Sequence, residues 1–283
     1  MSIGIETGSL VEFSSTFGAA VESSIVNSGN YSAKLTSSAG VLLDDVITPS
    51  DDAVFSFAFR FTDAPSGDVQ IGRIVGSSVI QLILYLTSSR TLKLNGTGEA
   101  SVTGSTVLST DTWYRIAIRH KKGTGSNAQG EIYLGGVSEG SFSNSTGVQP
   151  ADSCSARFST GSGNVYCDDL KMVSGSTVPD QTYKTVALRP NGAGDGDTAF
   201  DGDYTDIDDD PINEATYRAS TATAATFFDA LADVPVDFST VNAVHVGVWL
   251  YGGDGGNVNY IQYKNGSGSA EEAALSPAVD SKT

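Results

Sequence analysis

Basic residues, histidine and cysteine are all scarce in this chain of 283 residues. It has 16 lysines plus arginines against 33 acidic residues, and its formal net charge at pH 7 is −17. Because such a charge repels phosphate backbones and anionic lipid surfaces, nucleic-acid partners and membrane insertion are not expected. The longest nearly apolar run, Val79–Leu86, is far shorter than the ~20 residues of a membrane-spanning helix. Residues 1–8 lack the basic start and apolar core of a secretory signal, so we expect synthesis in a cytoplasm.

Recognisable patterns of catalytic and metal-binding residues are missing as well. The chain has no Gly-x-Ser-x-Gly turn, and its glycine-rich stretch at residues 191–196 is followed by acids that would repel a phosphate. The two histidines, His120 and His245, are too far apart in sequence to form a local metal motif. The sequence therefore predicts no catalytic, cofactor-binding or metal-ligating residue, and it favours a protein that is not an enzyme.

An acidic stretch at residues 195–214 is a candidate calcium site. Nine acidic residues lie there without a basic residue among them, and calcium takes clustered oxygen ligands from flexible loops. Residues 201–206 imitate the first half of a calcium loop, but the glycine is misplaced and the terminal glutamate is absent. A solvated acidic loop is the favoured interpretation, with calcium as the alternative.

Many short segments of alternating polarity, together with 32 glycines, predict an all-β protein. The clearest segment is residues 54–61, where four phenylalanines alternate onto one face and belong in a core. These are Phe55, Phe57, Phe59 and Phe61. Ser56 and Arg60 then point outward or towards a second layer. Further strands are predicted at residues 31–35, 69–75, 79–86, 91–94, 113–120, 131–134 and 164–173.

The chain is long enough for two domains, each with its own core. We assign residues 1–175 to a first domain, residues 176–183 to a linker and residues 184–283 to a smaller β-rich domain. The linker is short and contains little to bury.

Within the second domain, Pro190 is expected to end a strand because proline lacks a backbone donor. Residues 226–232 are expected to form one or two helical turns, and strands at 242–251 and 257–264 to pair across a glycine turn. The small, polar tail at 267–283 is either mobile or ordered by a neighbouring subunit.

The two cysteines, Cys154 and Cys167, flank a Gly-Ser-Gly turn at residues 161–163. Across a hairpin they would face each other, so a disulfide is geometrically allowed. Reduced, buried thiols are the favoured alternative in a protein made in a cytoplasm.

Four segments of the first domain, residues 4–8, 28–35, 112–116 and 165–173, resemble those of concanavalin A-like (laminin G-like) jelly rolls. The resemblance implies a β-sandwich over residues 1–175. Such domains bind glycans, hydrolyse them or serve as structural modules, so the fold does not choose the function. Jelly-roll glucanases carry Glu-x-Asp-x-x-Glu on one strand, a pattern absent here. Asp168 and Asp169 are adjacent, so we expect them to point to opposite faces of a strand, where they cannot flank one glycosidic bond.

The second half is similar to the C-terminal module of a group of tailed-bacteriophage structural proteins, on the basis of residues 186–195, 204–209 and 215–217. This implies a non-enzymatic virion component, made in the host cytoplasm, that decorates the capsid or belongs to the tail or a fibre. Expected partners are other virion proteins and further copies of the chain, in a homo-oligomer or multi-copy assembly. Strand edges of the second domain would supply the contacts.

The alternative function is a carbohydrate-binding adhesin module that recognises a cell-surface polysaccharide. Its candidate residues are aromatic: Trp249 and Tyr251 share a strand face with His245, and Tyr260 lies beyond the glycine turn. Sugar rings stack on such side chains. Rings that fill a core or a subunit interface remain the favoured interpretation of these residues.

Overall fold

The computed structural model describes residues 3–6, 15–29, 31–43, 47–96, 100–123, 127–144, 149–159, 161, 163–178, 190–193, 229–231, 260–263 and 271–274. No α-helix occurs among them, and their strands pair antiparallel throughout. Accordingly, this part of the chain holds no helix long and apolar enough to cross a membrane. The predicted all-β class is confirmed.

Thirteen strands form one hydrogen-bonded network. They are β1 (Ile3–Glu6), β2 (Ser15–Glu22), β3 (Ser32–Leu43), β4 (Asp52–Phe61), β5 (Val69–Gly76), β6 (Val79–Leu86), β7 (Leu92–Gly96), β8 (Ser101–Thr103), β9 (Tyr114–Lys121), β10 (Ala128–Leu134), β11 (Val137–Asn144), β12 (Ser153–Phe158) and β13 (Val165–Ser174). The order across the network is β11-β10-β9-β4-β13-β3-β12-β5-β6-β7-β8, with β1 on β13 and β2 on β3.

The long strand β3 divides this network into two layers. Its first part pairs with β13 and its second part with β12, and between them Ser38 has a left-handed φ of 67°. We name the layer β11-β10-β9-β4-β13 sheet A and the layer β12-β5-β6-β7-β8 sheet B. A Cβ placed on Gly72 of sheet B would lie 3.4 Å from the ring of Phe57 in sheet A, so the two sheets pack face to face as a jelly-roll sandwich.

The core lies between the sheets and is centred on β4. The four alternating phenylalanines are each at most 1% exposed, and neighbouring rings are in contact, with centroids 4.9 Å apart for Phe55 and Phe57 and 5.7 Å apart for Phe59 and Phe61. Each buried ring contributes about 2 kcal/mol before conformational entropy is subtracted. The prediction from alternation is confirmed, and Ser56 on the opposite face is also buried, beneath a small apolar layer around Val54.

The edge strands β8 and β11 approach each other and nearly close the sandwich. A Cβ on Gly140 of β11 would meet Val102 of β8 at 2.6 Å. From the same strand, the Glu139 carboxylate accepts hydrogen bonds from the backbone N–H groups of Ser105 and Thr106 at 3.0 and 3.1 Å. Together with a stronger contribution from the Thr106 hydroxyl, which donates to Glu139 Oε1 at 2.6 Å, these bonds lower the pKa of Glu139 below its usual range.

Strand positions were predicted best where branched aliphatic residues are frequent. Residues 79–86 match β6, and the predicted strands at 69–75 and 164–173 match β5 and β13 to within one residue at each end. Five strands of the network were not predicted. β1 and β8 are only four and three residues long, and β2, β11 and β12 are rich in glycine, serine and alanine, which leaves no clear alternation.

By contact, the chain divides into two compact units, residues 1–239 and 240–283. Beyond the sandwich, the first unit contains β14 (Pro190–Ala193) paired with β15 (Asp229–Leu231). The second unit contains β16 (Tyr260–Tyr263) paired with β17 (Glu271–Ala274). Most of the predicted linker, from residue 179 onward, lies outside the described residues, so the assignment of residues 1–175 and 184–283 to two domains stays a prediction.

Three expectations for the second half were wrong. Residues 229–231 are a strand rather than part of a helical turn, because pairing with β14 outweighs the helical tendency of a short Ala- and Leu-containing segment. Pro190 begins a strand instead of ending one, at the first position, where a missing N–H is tolerated. The polar tail contributes β17, which is ordered by β16 of the same chain.

The two cysteines do not face each other across a hairpin. Both are buried thiols that form no disulfide. Cys154 of β12 pairs with Leu43 at one end of β3, while Cys167 of β13 pairs with Ala33 near its other end. Ten residues of extended strand correspond to about 30 Å along β3, far beyond the roughly 7 Å that a disulfide can span. Burial raises the pKa of the Cys167 thiol and keeps it protonated.

Candidate ligand-binding face

Two groups of polar side chains in the sandwich bear on function, a buried acidic cluster at β13 and an array on the outer surface of sheet B. The acidic cluster consists of Asp168 and Asp169 with their partners. Asp168 Oδ2 accepts the backbone N–H groups of Asn27 and Ser28 at 2.9 and 3.1 Å. Asp169 Oδ2 accepts Asn27 Nδ2 at 2.7 Å and Arg115 Nη2 at 2.8 Å.

Both carboxylates thus contact the same turn, so the expectation that they point to opposite faces of β13 was wrong. The register of β13 against β4 shifts between Asp168 and Lys171, and Asp169 has a φ of 50°. This bulge breaks the alternation that a regular strand would impose. Neither carboxylate is exposed, so a glycosidic bond cannot reach them.

The acidic cluster fastens the turn at residues 27–28 to the sandwich. Burial, reinforced by the charge of Asp169, raises the pKa of Asp168 well above its usual range. No group of three or more metal-binding side chains suited to a metal ion occurs in the part of the chain that the structure describes. The predicted acidic loop at 195–214 lies outside that part, so calcium binding there is not tested.

The second group covers the outer surface of sheet B, which we name the polar face. Alternation along β6 places Leu82, Leu84 and Leu86 in the core and leaves Ile83 and Tyr85 on the outside, partly exposed. Strand register then defines two rows of outward residues. One row, in order across the strands, is Ser155, Arg73, Ile83, Asn95 and Ser101. The other is Gln70, Tyr85, Lys93 and Thr103.

A β-bulge brings the polar residues of β5 together. Gln70 and Arg73 are three residues apart and would face opposite sides of a regular strand. The register between β5 and β6 shifts between Gln70 and Gly72, so Gln70 lies opposite Tyr85 while Arg73 lies opposite Ile83, and both project outward. The longer row crosses five strands, so the polar face is about 19 Å wide at ~4.8 Å per strand spacing.

Arginine side chains lie at one end of the polar face. Arg73 Nε donates a hydrogen bond of 2.8 Å to Ser155 Oγ. Arg157, two residues beyond Ser155, lies over the ring of Phe17, with its guanidinium carbon 5.0 Å from the ring centroid. The ring of Phe17 in turn covers Gly40, where a Cβ would meet it at 2.5 Å. A glycine at this position therefore lets an aromatic ring lie flat on the sheet and support the arginine.

Three side-chain atoms on the polar face are buried without a hydrogen-bond partner among the described residues: Gln70 Nε2, Asn95 Oδ1 and Arg157 Nε. A buried polar atom without a partner costs about 1–3 kcal/mol.

The polar face is electropositive at its arginine end, in a protein that is strongly acidic overall. Partial burial, together with the positive charge of Arg157, lowers the pKa of Arg73 from its usual value. Lys93, near the other end, is neutralised by Asp68 at 3.0 Å.

Of the residues proposed from sequence for glycan binding, Trp249, Tyr251 and His245 lie outside the described residues, and Tyr260 is in β16 of the second unit. His120 is buried in the sandwich, with Nε2 2.9 Å from the Gln149 carbonyl oxygen. Sequence reasoning missed the polar face, because its residues come from five strands and a bulge sets their direction.

No protein-family model matches the chain, and no curated protein matches it. Among solved structures, an endo-β-1,4-glucuronan lyase from the fungus Trichoderma reesei is similar over 64% of this chain and 98% of its own, with 13% identity and a TM-score of 0.52. The receptor-binding domain of botulinum neurotoxin type G is similar over 63% of this chain and 44% of its own, at 11% identity and a TM-score of 0.43. At such identities the likeness concerns the fold alone, and the predicted jelly-roll class is confirmed.

Proposed function

We propose that the sandwich is a carbohydrate-binding module whose ligand lies across the polar face. The observation that carries this proposal is the continuous strip of outward polar side chains around the partly exposed Tyr85. Sugar hydroxyl groups both donate and accept hydrogen bonds, so they suit a strip that carries amide, hydroxyl and guanidinium groups.

The shape of the site supports an extended ligand. The polar face is about 19 Å wide, and its two rows of outward side chains form a continuous strip across the strands. Tyr85 lies at the centre of one row, opposite both Gln70 and Lys93. An aromatic side chain in such a position offers a flat apolar surface for a sugar ring, with a hydroxyl group at its edge.

Binding without catalysis is the part of the proposal that concerns chemistry. Hydrolysis of a glycosidic bond needs two carboxyl groups that flank it. The two described rows of the polar face contain no acidic residue, and the carboxylate beside them, Asp68, forms an ion pair with Lys93. The Trichoderma reesei neighbour is an enzyme, so catalysis is an outcome that the binding experiment must also monitor.

The resemblance of residues 186–195, 204–209 and 215–217 to tailed-phage structural proteins suggests the particle in which this module works. We propose that the chain is a multi-copy virion component, attached by its second half and displaying the jelly roll towards host polysaccharide. Support comes from the order of these segments along the chain and from the strongly acidic composition, which suits a protein that must not bind the packaged genome.

Glycan-array binding followed by titration calorimetry tests the binding proposal. Tyr85→Ala is expected to weaken the best ligand about tenfold or more, the equivalent of roughly 1.4 kcal/mol. Tyr133→Ala removes the same side chain from β10 in sheet A and should leave affinity unchanged. Equal losses in both variants, or no glycan ligand at all, would contradict the proposal. Release of new reducing or unsaturated ends during incubation would replace a binding function by an enzymatic one.

Quantitative mass spectrometry of purified phage particles tests the setting. A copy number close to that of the major capsid protein would place the chain on the capsid, and a handful of copies would place it on the tail or a fibre. Absence from particles would refute the virion setting and leave the binding proposal standing.

A further inference from the structure

The arginines of the two sheets differ in how their charges are balanced. In sheet A, each arginine contacts a carboxylate: Arg60 Nη2 lies 2.9 Å from Asp111, Arg115 Nη2 lies 2.8 Å from Asp169, and Arg119 Nη2 lies 2.8 Å from Asp52. On the polar face, neither Arg73 nor Arg157 has a carboxylate partner among the residues that the structure describes. The chain has about twice as many acids as bases, so acidic partners are not in short supply.

These two arginines are also close to each other. Ser155 lies directly opposite Arg73, and Arg157 follows two residues later on the same face of β12. Diagonal neighbours on a sheet are about 7–8 Å apart. Besides partial burial, the positive charge of Arg157 lowers the pKa of Arg73, so the two guanidinium groups repel each other, and an anion between them would relieve this repulsion. Their guanidinium groups are held in place by Ser155 Oγ and by the ring of Phe17.

We propose that the polar face binds an acidic polysaccharide and that Arg73 and Arg157 together receive one of its sugar carboxylates. This proposal rests on the proposed carbohydrate-binding function and specifies its substrate class. Because Ser155 occupies Nε of Arg73, the two terminal nitrogens of Arg73 remain to face a ligand. A guanidinium offers two parallel N–H donors that match the two oxygens of a carboxylate.

The neutral part of the polar face completes this assignment. Ile83 and Asn95 follow Arg73 along the longer row, and Ser101 ends it. An uncharged stretch of this kind suits the hydroxyl-bearing remainder of a sugar chain. A nucleic acid would place one phosphate charge about every 1.7 Å of duplex axis, which two arginines cannot balance against the net charge of −17.

The test compares polygalacturonate with the same polymer after chemical reduction of its carboxyl groups to alcohols. Binding of the full chain is measured by calorimetry at low and high salt, and a thymidine oligonucleotide and dextran sulfate serve as further probes. Arg73→Gln and Arg157→Gln should each weaken polygalacturonate binding about tenfold or more and reduce its salt dependence. Lys122→Gln removes one positive charge from an exposed pair outside the polar face and should change neither.

The outcomes separate the two proposals. Binding of polygalacturonate but not of its reduced form, with loss in both arginine variants, supports the inference. Equal binding of both polymers would overturn the inference and keep the carbohydrate-binding function. No binding to either polymer would overturn the inference, and a glycan array without hits would then remove the function as well. Preference for dextran sulfate would assign the arginines to a sulfate rather than a carboxylate, and preference for the oligonucleotide would overturn both proposals. Thermal unfolding of each variant confirms that it is folded.

Discussion

Replacing Arg115 by methionine is the most direct test of the acidic cluster, because it removes the positive charge and keeps much of the apolar stem. Arg115 Nη2 lies 2.8 Å from Asp169 Oδ2, and the two side chains are only 9% and 0% exposed. After the substitution, the Asp169 carboxylate stays buried with donors from the turn at residues 27–28 but without a positive charge beside it.

The expected loss follows from burial. Removal of one partner from a buried ion pair costs about 3–5 kcal/mol, because an uncompensated charge remains inside the protein. For a domain of this size, 1 kcal/mol shifts the unfolding midpoint by about 2–4 °C, so Arg115→Met should lower it by roughly 10 °C. Lys122 and Asp51 form a pair of similar length, 3.2 Å, but their side chains are 39% and 71% exposed. Lys122→Met should therefore cost at most about 1 kcal/mol.

Urea unfolding at pH 7, followed by fluorescence and circular dichroism, gives both free energies. A double variant, Arg115→Met with Asp169→Asn, also removes the unpaired negative charge and should recover part of the lost free energy of unfolding. If Arg115→Met were no more destabilising than Lys122→Met, the claim that the buried Arg115–Asp169 ion pair stabilises the fold would be wrong. The same would hold if adding Asp169→Asn restored none of the lost free energy of unfolding.

Three further predictions concern single positions in the sandwich. Ser78 has a left-handed φ of 63°, so Ser78→Gly should stabilise the protein by about 1 kcal/mol in thermal unfolding; a loss would contradict the strained turn. Burial lowers the pKa of His120, so the unfolded chain takes up a proton near pH 6.5 that the folded protein resists, and stability is lost as pH falls below that value. The free energy of unfolding of the parent protein should therefore fall relative to that of His120→Gln between pH 7 and pH 5, and a pH-independent difference would rule this out. A Cβ on Gly76 would lie 2.0 Å from the Pro150 carbonyl oxygen, whereas one on Gly67 meets nothing within 4 Å. Urea unfolding should show Gly76→Ala losing about 1–3 kcal/mol and Gly67→Ala losing none, and equal stabilities would refute the close approach.

Much of the fold could be predicted from the sequence because alternation is a local property. The four phenylalanines of β4 and the aliphatic residues of β6 alternate with other residues, and this alternation predicts which face of each strand is buried. Weakly apolar strands such as β11 and β12 are held by their neighbours in the sheet, so their own residues carried too little signal.

The candidate site could not be predicted in the same way. Arg73 and Ser155 are separated by 82 positions, and only the order of strands in sheet B brings β12 beside β5. The direction of Gln70 depends on a bulge, as does the placement of Asp169 beside Asp168, and a bulge is a feature of pairing between strands rather than of one segment.

The sequence by itself therefore determined the all-β class, the composition of the core and the strongly acidic charge, since these follow from residue type and short-range period. The tertiary structure decided which polar residues meet, which arginines have carboxylate partners and that the two cysteines lie far apart. The physical reason is that burial alternates along each strand and can be read locally, whereas register, bulges and strand order arise from contacts between segments that are distant in sequence.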